Sequence, residues 1–224
     1  MKKNYISNSE ESIRMFKSGF MENLSKVHFA VPLFIFVPAI FIFIYKAFAE
    51  GISILNFGLY FLIGLAVWTI TEYIMHRFIF HYHPNSEFGK KMHFIFHGVH
   101  HDYPRDKKRL VLPPSVSIPL ATGFYFLFNS FLPLQSLFAF FPGFLLGYLI
   151  YDMLHYAMHH YNFKSGIMKR VKQHHMLHHY NEPTKGFGVS SSLWDIILRS
   201  GFEKQPKKII EKQEAQLINL MGDK

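Results

Sequence analysis

Four long apolar runs constrain this chain more than any other feature of its sequence. They lie at residues 29–48, 52–75, 110–128 and 131–154, and the connections at 49–51 and 129–130 leave room only for tight hairpins. About 20 residues of helix cross the hydrocarbon core of a bilayer. We therefore predict an all-α integral membrane fold with four transmembrane helices in two hairpins. Three prolines in the third run, at positions 113, 114 and 119, also allow that run to be re-entrant.

The composition supports a membrane protein and excludes several kinds of site. Of the 224 residues 50% are hydrophobic, and only 17% are charged, where soluble domains carry about 25%. The chain has no cysteine, which excludes disulfides, thiolate metal sites, iron–sulfur clusters and cysteine nucleophiles. The formal net charge is +9. Because the chain also has long apolar runs, we expect its basic residues to face lipid headgroups, and we expect no nucleic-acid partner.

The distribution of Lys and Arg predicts the orientation in the membrane. Five precede Phe29, seven lie between the second and third runs, eleven follow the fourth run, and Lys46 stands alone at the opposite ends. The positive-inside rule then places both termini and the chain between the two hairpins on the cytoplasmic side.

The chain is expected to divide into three parts. Residues 1–28 resemble no secretory signal, and their apolar residues recur at helical spacing, so we predict a segment that lies on the membrane surface or packs on the protein's own cytosolic part. Residues 29–202 form the main membrane domain. Residues 203–224 form a polar C-terminal tail.

Histidine is the residue type that points to chemistry. Fourteen of the fifteen histidines fall within residues 76–101 and 155–179, and each window begins where an apolar run ends. Ten of them form four spaced motifs: His76 and His81; His97, His100 and His101; His155 and His159; His175, His178 and His179. Four such clusters at cytoplasmic membrane ends favour a metal site over surface histidines.

Helical geometry converts these spacings into candidate ligand sets. Residues at i, i+3 and i+4 share one face of a helix, so each H-x-x-H-H triplet is predicted to present three rings together. His76 and His81, at i and i+5, fit one face less well, and they could serve two metals or flank a helix end. Ten imidazoles suit two metal ions with about five ligands each, and imidazole binds Zn, Cu, Fe and Ni.

Two carboxylates are predicted to assist the ligands. Glu72 precedes His76 by one helical turn, and Asp152 precedes His155 by three residues. Ionised carboxylates are costly near a membrane unless they have a partner. We therefore predict that both orient ligand histidines by accepting the second ring N–H. Trp194 and Asp195, soon after the last triplet, are expected to cap the metal site.

Several of these segments resemble the fatty acid hydroxylase superfamily, and most of all the fatty acid 2-hydroxylases that act on sphingolipid acyl chains. The segments are EYIMHRFIFH at 72–81, HFIFHGVHHDYPRDKKRLVLPP at 93–114, GYLIYDMLHYAMHH at 147–160, and HHMLHHY at 174–180 followed by GFGVSSSLWD at 186–195. The resemblance covers about residues 68–200.

The resemblance implies a cytosolic helical cap that holds a dimetal site with histidine ligands only, at the same ten positions. It implies a di-iron monooxygenase that uses O2 to hydroxylate carbon 2 of a fatty acyl chain, free or in ceramide. Zinc is expected in purified samples, because it binds imidazole tightly. Many relatives carry a fused cytochrome b5 domain, for which 28 residues leave no room. We therefore expect a separate electron donor, namely a b5-like protein, a ferredoxin or a flavin reductase, and favour a bacterial cytoplasmic membrane over the endoplasmic reticulum.

Three other functions remain open at this point. Hydroxylation of a carotenoid or sterol would use related histidine motifs, and desaturation would use a similar metal centre. A metal transporter is the third alternative, and it would place ionisable residues near the bilayer midplane. Here the histidines gather at one side, which disfavours transport.

The basic loop with Arg105, Lys107, Lys108 and Arg109 is a candidate docking face for an acidic donor, although topology alone also requires such charges.

Overall fold

The computed structural model describes residues 6–7 and 9–202, and the regular elements within them are all helical. The α-helices are α1 Gly19–Leu24, α2 Val31–Ala49, α3 Ile54–Ile74, α4 Glu87–His93, α5 Val99–Asp102, α6 Pro114–Asn129, α7 Leu134–His160, α8 Gly166–Tyr180 and α9 Leu193–Ile197. Two π-helical turns extend these elements: Met75–Phe80 follows α3, and Phe94–Gly98 joins α4 to α5.

The chain separates into two compact units. One, here called the membrane unit, comprises Ser12–Met75 and Lys107–Ala157. The other, the histidine unit, comprises the described residues of Met1–Glu11, His76–Asp106 and Met158–Lys224. The chain therefore leaves the histidine unit twice and returns to it twice.

Three helices are long and apolar enough to cross a membrane. They are Val31–Ala49, Ile54–Phe80 and Leu134–His160. The third predicted run forms α6, whose 16 residues rise only about 24 Å at 1.5 Å per residue. Pro113 caps this helix and Pro119 lies inside it. The structure thus confirms an all-helical membrane fold, but it does not confirm the predicted count of four transmembrane helices.

Helix α7 forms the centre of the membrane unit. In its most apolar stretch 78% of the residues are buried, against 22% for α2 and 11% for the helix that begins with α3. Glycines let α3 approach it closely: a Cβ at Gly64 would overlap the Phe140 carbonyl, and one at Gly143 would overlap the Phe61 carbonyl. Small residues at contacts between membrane helices allow the backbones to approach in this way.

The N-terminal segment is attached to the membrane unit by Glu22. Its carboxylate accepts hydrogen bonds from the amides of Met15 (3.0 Å) and Phe16 (3.1 Å), and it pairs with Arg109 and Lys26, each at 2.7 Å. Within residues 9–28 only Gly19–Leu24 is helical, so helical spacing before position 19 does not produce a helix. The segment thus contacts Arg109 of its own membrane unit, while its placement on the membrane surface or on the cytosolic part stays a prediction. The tail at 203–224 lies outside the described residues.

Contacts inside the membrane unit mark its two ends. The Val27 amide, just before α2, donates to the Lys108 carbonyl (2.9 Å), and Lys108 precedes α6. The Gln135 side chain, at the start of α7, donates to the carbonyl of Glu50 (2.7 Å), between α2 and α3. The start of α2 therefore lies beside the approach to α6, and the end of α2 lies beside the start of α7.

Candidate metal centre

The structure brings all ten predicted histidines into two groups of five. The first group contains His76, His81, His97, His101 and His178, and the second contains His100, His155, His159, His175 and His179. Within each group the candidate ligand nitrogens all lie within 4.8 Å of one another. His155 and His159 lie one turn apart on helix α7, which fixes the position of one ring relative to the other. That these nitrogens hold metal remains a prediction.

A π-helical turn resolves the awkward spacing of His76 and His81. The His81 amide donates to the His76 carbonyl at 3.1 Å, which is the i→i+5 bond of a π-helix. This wider turn brings residues five apart onto one face, whereas an α-helix does so for residues three or four apart. Both rings therefore join the first group, which disfavours the alternative that they serve two metals. The helix ends at Phe80, between the two histidines, as the other alternative expected.

Each H-x-x-H-H triplet divides between the two groups. His97 and His101 belong to the first group and His100 to the second, while His175 and His179 belong to the second and His178 to the first. On an α-helix residues i and i+4 differ by only about 40° in direction, whereas i+3 and i+4 diverge by about 100°. The prediction that all three rings of a triplet act together is therefore corrected: neighbouring groups share each triplet.

The spacing of the ring nitrogens fits metal binding. Nitrogens at right angles around one ion, each about 2.1 Å from it, would lie about 3.0 Å apart. In the first group the Nε2 atoms of His101 and His97 are 2.9 Å apart, and those of His97 and His81 are 3.1 Å apart. In the second group the Nε2 pairs of His100 with His179 and of His159 with His175 are each 3.0 Å apart.

The environment keeps these rings neutral, which is the state that binds metal. Burial, followed by the proximity of other rings, lowers the pKa of His97, His101 and His179 well below the usual value. Burial, followed by His76, lowers the pKa of His178 to about 3. The same causes lower the pKa of His81. Five neutral imidazoles with open lone pairs can hold a borderline dication such as iron or zinc.

Two rings of the first group are oriented by backbone carbonyls. His76 Nδ1 donates to the Phe187 carbonyl, and His178 Nδ1 donates to the Lys185 carbonyl at 2.7 Å. A carbonyl can only accept, so each Nδ1 carries the proton and each Nε2 presents its lone pair to the group.

Asp152 and Glu72 were predicted to orient ligand histidines, and the structure shows other hydrogen-bond partners for Asp152 and for His76. Asp152 is fully buried, but its oxygens accept from the Tyr148 hydroxyl (2.8 Å) and the Leu112 amide (3.4 Å), so its predicted bond to a ligand histidine is corrected. Glu72 is buried one turn before His76. The second nitrogen of His76 goes to Phe187 instead. A role for Glu72 at another ring stays a prediction.

Asp195 is the buried carboxylate that does contact this region. It accepts from the amides of Phe187 (2.9 Å) and Gly188 (2.8 Å) and from the Nε2 of His174 (2.9 Å). Burial alone would raise the pKa of Asp195, but the hydrogen bonds from His174, Gly188 and Ser200 lower it below the usual value. The sequence pointed to this residue only by its place after the last triplet.

The remaining histidines of the two windows lie outside both groups. His83 and His93 pack against each other with ring centroids 4.7 Å apart. His174 contacts Asp195 rather than a group nitrogen. His160 follows His159 directly, so on the helix it points about 100° away, and it belongs to neither group.

The membrane unit contains an apolar pocket. Its lining residues come from α3, α6, α7 and the loop before α6: Trp68, Leu112, Ser117, Leu120, Ala121, Phe124, Phe144, Leu145 and Tyr148. Two of its lining residues, Phe124 and Phe144, are aromatic side chains of α6 and α7.

Comparison with known proteins agrees with this geometry. The dihydroceramide fatty acyl 2-hydroxylase FAH1 of Arabidopsis thaliana is 36% identical over 84% of this chain and 80% of its own length. The ceramide very long chain fatty acid hydroxylase scs7 of Schizosaccharomyces pombe is 38% identical over 79% of this chain and 52% of its own length. These relatives are eukaryotic, so they lend no support to the predicted bacterial membrane.

A solved structure has the same fold. The structure of full-length scs7p, in which only the hydroxylase domain is visible, matches with a TM-score of 0.78 and 36% sequence identity, over 83% of this chain and 70% of that chain. The family model described as fatty acid hydroxylase matches residues 61–200, which include both histidine windows. With more than half of its length matched by that model, the chain belongs to the fatty acid hydroxylase family.

Proposed function

We propose that this chain is a membrane monooxygenase that hydroxylates carbon 2 of a fatty acyl chain, either free or within ceramide. The observation that carries the proposal is the pair of five-histidine groups in a chain whose relatives are named fatty acyl and ceramide hydroxylases. In the balanced reaction one atom of O2 enters the new hydroxyl group. The other atom leaves as water, after two electrons and two protons are supplied. These relatives favour an acyl substrate over the carotenoid and sterol alternatives.

The chemistry explains why such a chain needs a redox metal. An unactivated C–H bond offers no acidic proton and no electrophilic carbon, so acid–base and nucleophilic groups cannot attack it. Two iron ions, one in each five-histidine group, would supply the redox chemistry that activates O2. The protein's own contribution is to hold the neutral imidazoles in place, with His76 and His178 oriented by backbone carbonyls.

We place the entry of the acyl tail at the small apolar pocket of the membrane unit. The pocket between α3, α6 and α7 is lined almost entirely by apolar side chains. Its wall is stabilised by Asp152, which accepts hydrogen bonds from two lining residues, Tyr148 and Leu112. The pocket has room for only about 20 Å³, roughly the space of one water molecule, so its walls would have to move apart to admit part of an acyl tail.

The electrons are proposed to come from a separate donor, either a b5-like protein, a ferredoxin or a flavin reductase. The four basic residues of the predicted docking face differ in their exposure. Arg109 has a side chain only 2% exposed and pairs with Glu22, and Arg105 pairs with Glu10 at 3.4 Å. Lys107 and Lys108 are exposed. Any docking of an acidic donor at this loop would therefore rest on the two lysines and not on Arg109.

We also propose that α6 crosses the membrane, so that the chain has four crossings with both termini and the metal centre on the cytoplasmic side. The contacts of Val27 with Lys108 and of Gln135 with Glu50 support this, since α6 then runs between the same two ends as α2.

Lipid mass spectrometry on cells that express the chain tests the proposed reaction. Hydrolysed lipids should contain acyl chains heavier by one oxygen, with the hydroxyl located at carbon 2 by fragmentation. A His178→Ala variant, which removes one nitrogen of the first group, should form none of this product. A His83→Ala variant is the matched control, because His83 is an exposed histidine outside both groups.

The outcomes separate the alternatives. A 2-hydroxy product in wild type and His83→Ala, but not in His178→Ala, supports both reaction and site. Full activity in folded His178→Ala would remove that residue from the ligands. If no acyl product forms even with ceramide and an electron donor supplied, the acyl proposal fails and a carotenoid or sterol becomes the substrate to test.

A further inference from the structure

A short backbone segment contacts two rings of the first group from outside. We call Lys185–Gly188 the carbonyl strap. Its Lys185 carbonyl accepts from His178 Nδ1 at 2.7 Å, and its Phe187 carbonyl accepts from His76 Nδ1. Each bond fixes the protonated nitrogen and the direction of the ring. The two residues come from distant parts of the sequence, so the strap joins the first and last histidine motifs.

The carboxylate of Asp195 holds the strap in place. One oxygen, Oδ1, accepts from the Phe187 amide (2.9 Å) and the Ser200 hydroxyl (2.8 Å). The other, Oδ2, accepts from the Gly188 amide (2.8 Å) and from His174 Nε2 (2.9 Å). All four donors converge on one side chain that is 0% exposed. The carboxylate thus fixes the peptide group of Phe187 and Gly188, whose carbonyl reaches His76. The peptide group whose carbonyl reaches His178 is held by its Gly186 amide, which donates to the carbonyl of Ser200, and the Ser200 hydroxyl in turn bonds Asp195.

The strap depends on its two glycines. Gly186 has φ +71°, a conformation that side-chain-bearing residues rarely adopt, and its amide donates to the Ser200 carbonyl at 2.8 Å. A Cβ at Gly188 would overlap the Ser191 carbonyl and come within 2.9 Å of Asp195 Oδ2. The close approach of the strap to Asp195 is therefore possible only without side chains at these positions.

We infer that Asp195 is a positioning residue for one of the two metal sites. It acts through the carbonyl strap, and the strap holds His76 and His178 in the tautomer and direction in which both Nε2 atoms face the first group. The second group receives neither of these bonds. This inference rests on the proposed metal centre, and it predicts that loss of the Asp195 carboxylate weakens the first site selectively.

Metal retention by the full-length protein tests the inference. The protein, purified in detergent with its metal, is incubated with rising concentrations of a chelator, and metal remaining per chain is measured by mass spectrometry. Wild type should release its ions in two steps, which His178→Ala and His175→Ala assign to the first and second groups. Asp195→Asn keeps the side-chain shape but places an NH2 group against two of the four donors.

We expect Asp195→Asn to shift the first-group step by about 10- to 100-fold in chelator concentration and to leave the second-group step unchanged. Glu22→Gln is the matched control: it alters another buried carboxylate that accepts two backbone amides, in the membrane unit. Both of its steps should match wild type. A merely structural role for Asp195 would instead weaken both steps together, or neither.

If Asp195→Asn does not fold, the milder variant Ser200→Ala tests the same inference. Ser200→Ala removes one donor to Oδ1 and should shift the first-group step about fivefold, the effect of one hydrogen bond. Unchanged steps in both variants, or equal shifts of both steps, overturn the inference while the metal centre stands. Wild-type protein that retains no metal at any chelator concentration overturns the proposed centre itself.

Discussion

Glu22 is the single residue on which the N-terminal segment depends most. It lies outside the membrane-spanning helices, is 6% exposed, and contacts two backbone amides and two basic side chains. Burial alone would raise the pKa of this carboxyl. The hydrogen bonds from Lys26, Phe16 and Met15 and the charge of Arg109 outweigh burial and lower its pKa to about 2. The folded state is therefore more stable when the Glu22 carboxyl is ionised than when it is protonated.

We predict that Glu22→Gln destabilises the protein by about 2 kcal/mol at neutral pH. Because the pKa of Glu22 is lower in the folded than in the unfolded state, this stabilisation is complete above the unfolded value of 4.5 and is lost as pH falls towards about 2. Thermal unfolding in detergent at several pH values measures it. The difference between wild type and variant should hold from about pH 7 to 5 and narrow below that.

The comparison of wild type with variant cancels the titration of the many histidines, which is common to both. A difference that stays constant down to about pH 3 would show that Glu22 does not titrate as its contacts imply. No difference at any pH would show that the ion pair with Arg109 adds nothing to stability.

At the residue scale, the sequence predicts which histidines come together better than it predicts the groups that support them. The ten histidines are selected by their spacing in the sequence, and the structure brings all ten into the two groups. The division of each triplet between the two groups does not follow from the spacing, since it depends on how the helices pack. Asp195 is separated by 17 residues from His178, and its bonds to the strap amides arise only once the loop between them has folded.

At the scale of elements, the apolar runs predict the helices well and their ends poorly. The fourth apolar run ends at residue 154, whereas helix α7 continues to His160 and carries two ligand candidates, His155 and His159, beyond that run. The π-helical turn at Met75–Phe80 was missed, because nothing in apolar periodicity distinguishes it from α-helix. It is stabilised where tertiary packing, here the meeting of five rings, favours the wider turn.

The contact between α3 and α7 gives the element-scale prediction. A Cβ at Gly143 would overlap the Phe61 carbonyl, which is backbone and cannot rotate away. We therefore expect Gly143→Ala to destabilise the protein by about 1–3 kcal/mol, the usual effect of overpacking. The measurement is the midpoint of thermal unfolding in detergent.

The matched control is Gly123→Ala on α6, where an added Cβ meets nothing within 4 Å. This variant should be neutral or stabilising by up to about 1 kcal/mol, because alanine favours helix over glycine. Equal midpoints for the two variants would mean that α3 and α7 can separate at no cost, contrary to the close packing seen here.

At the scale of the whole molecule, the sequence left open whether the third apolar run crosses the membrane. Pro119 and a length of 16 residues made α6 ambiguous, and length and composition together select three helices as able to cross the membrane. Contacts distant in sequence bear on the point more directly. The Glu50–Gln135 contact and the Val27–Lys108 contact lie at opposite ends of α2, so a chain that passes from one to the other through α6 travels the full length of the membrane unit.

The absence of native cysteine makes this topology testable with single reporters. We predict that Glu50→Cys and Asn129→Cys, both at exposed positions, react with a membrane-impermeant maleimide in intact cells. Lys90→Cys, also exposed but in the histidine unit, should react only after the membrane is permeabilised. Labelling of position 50 without position 129 would show that α6 does not cross. Labelling of position 90 in intact cells would place the histidine unit on the outer side and overturn the cytoplasmic orientation predicted from Lys and Arg.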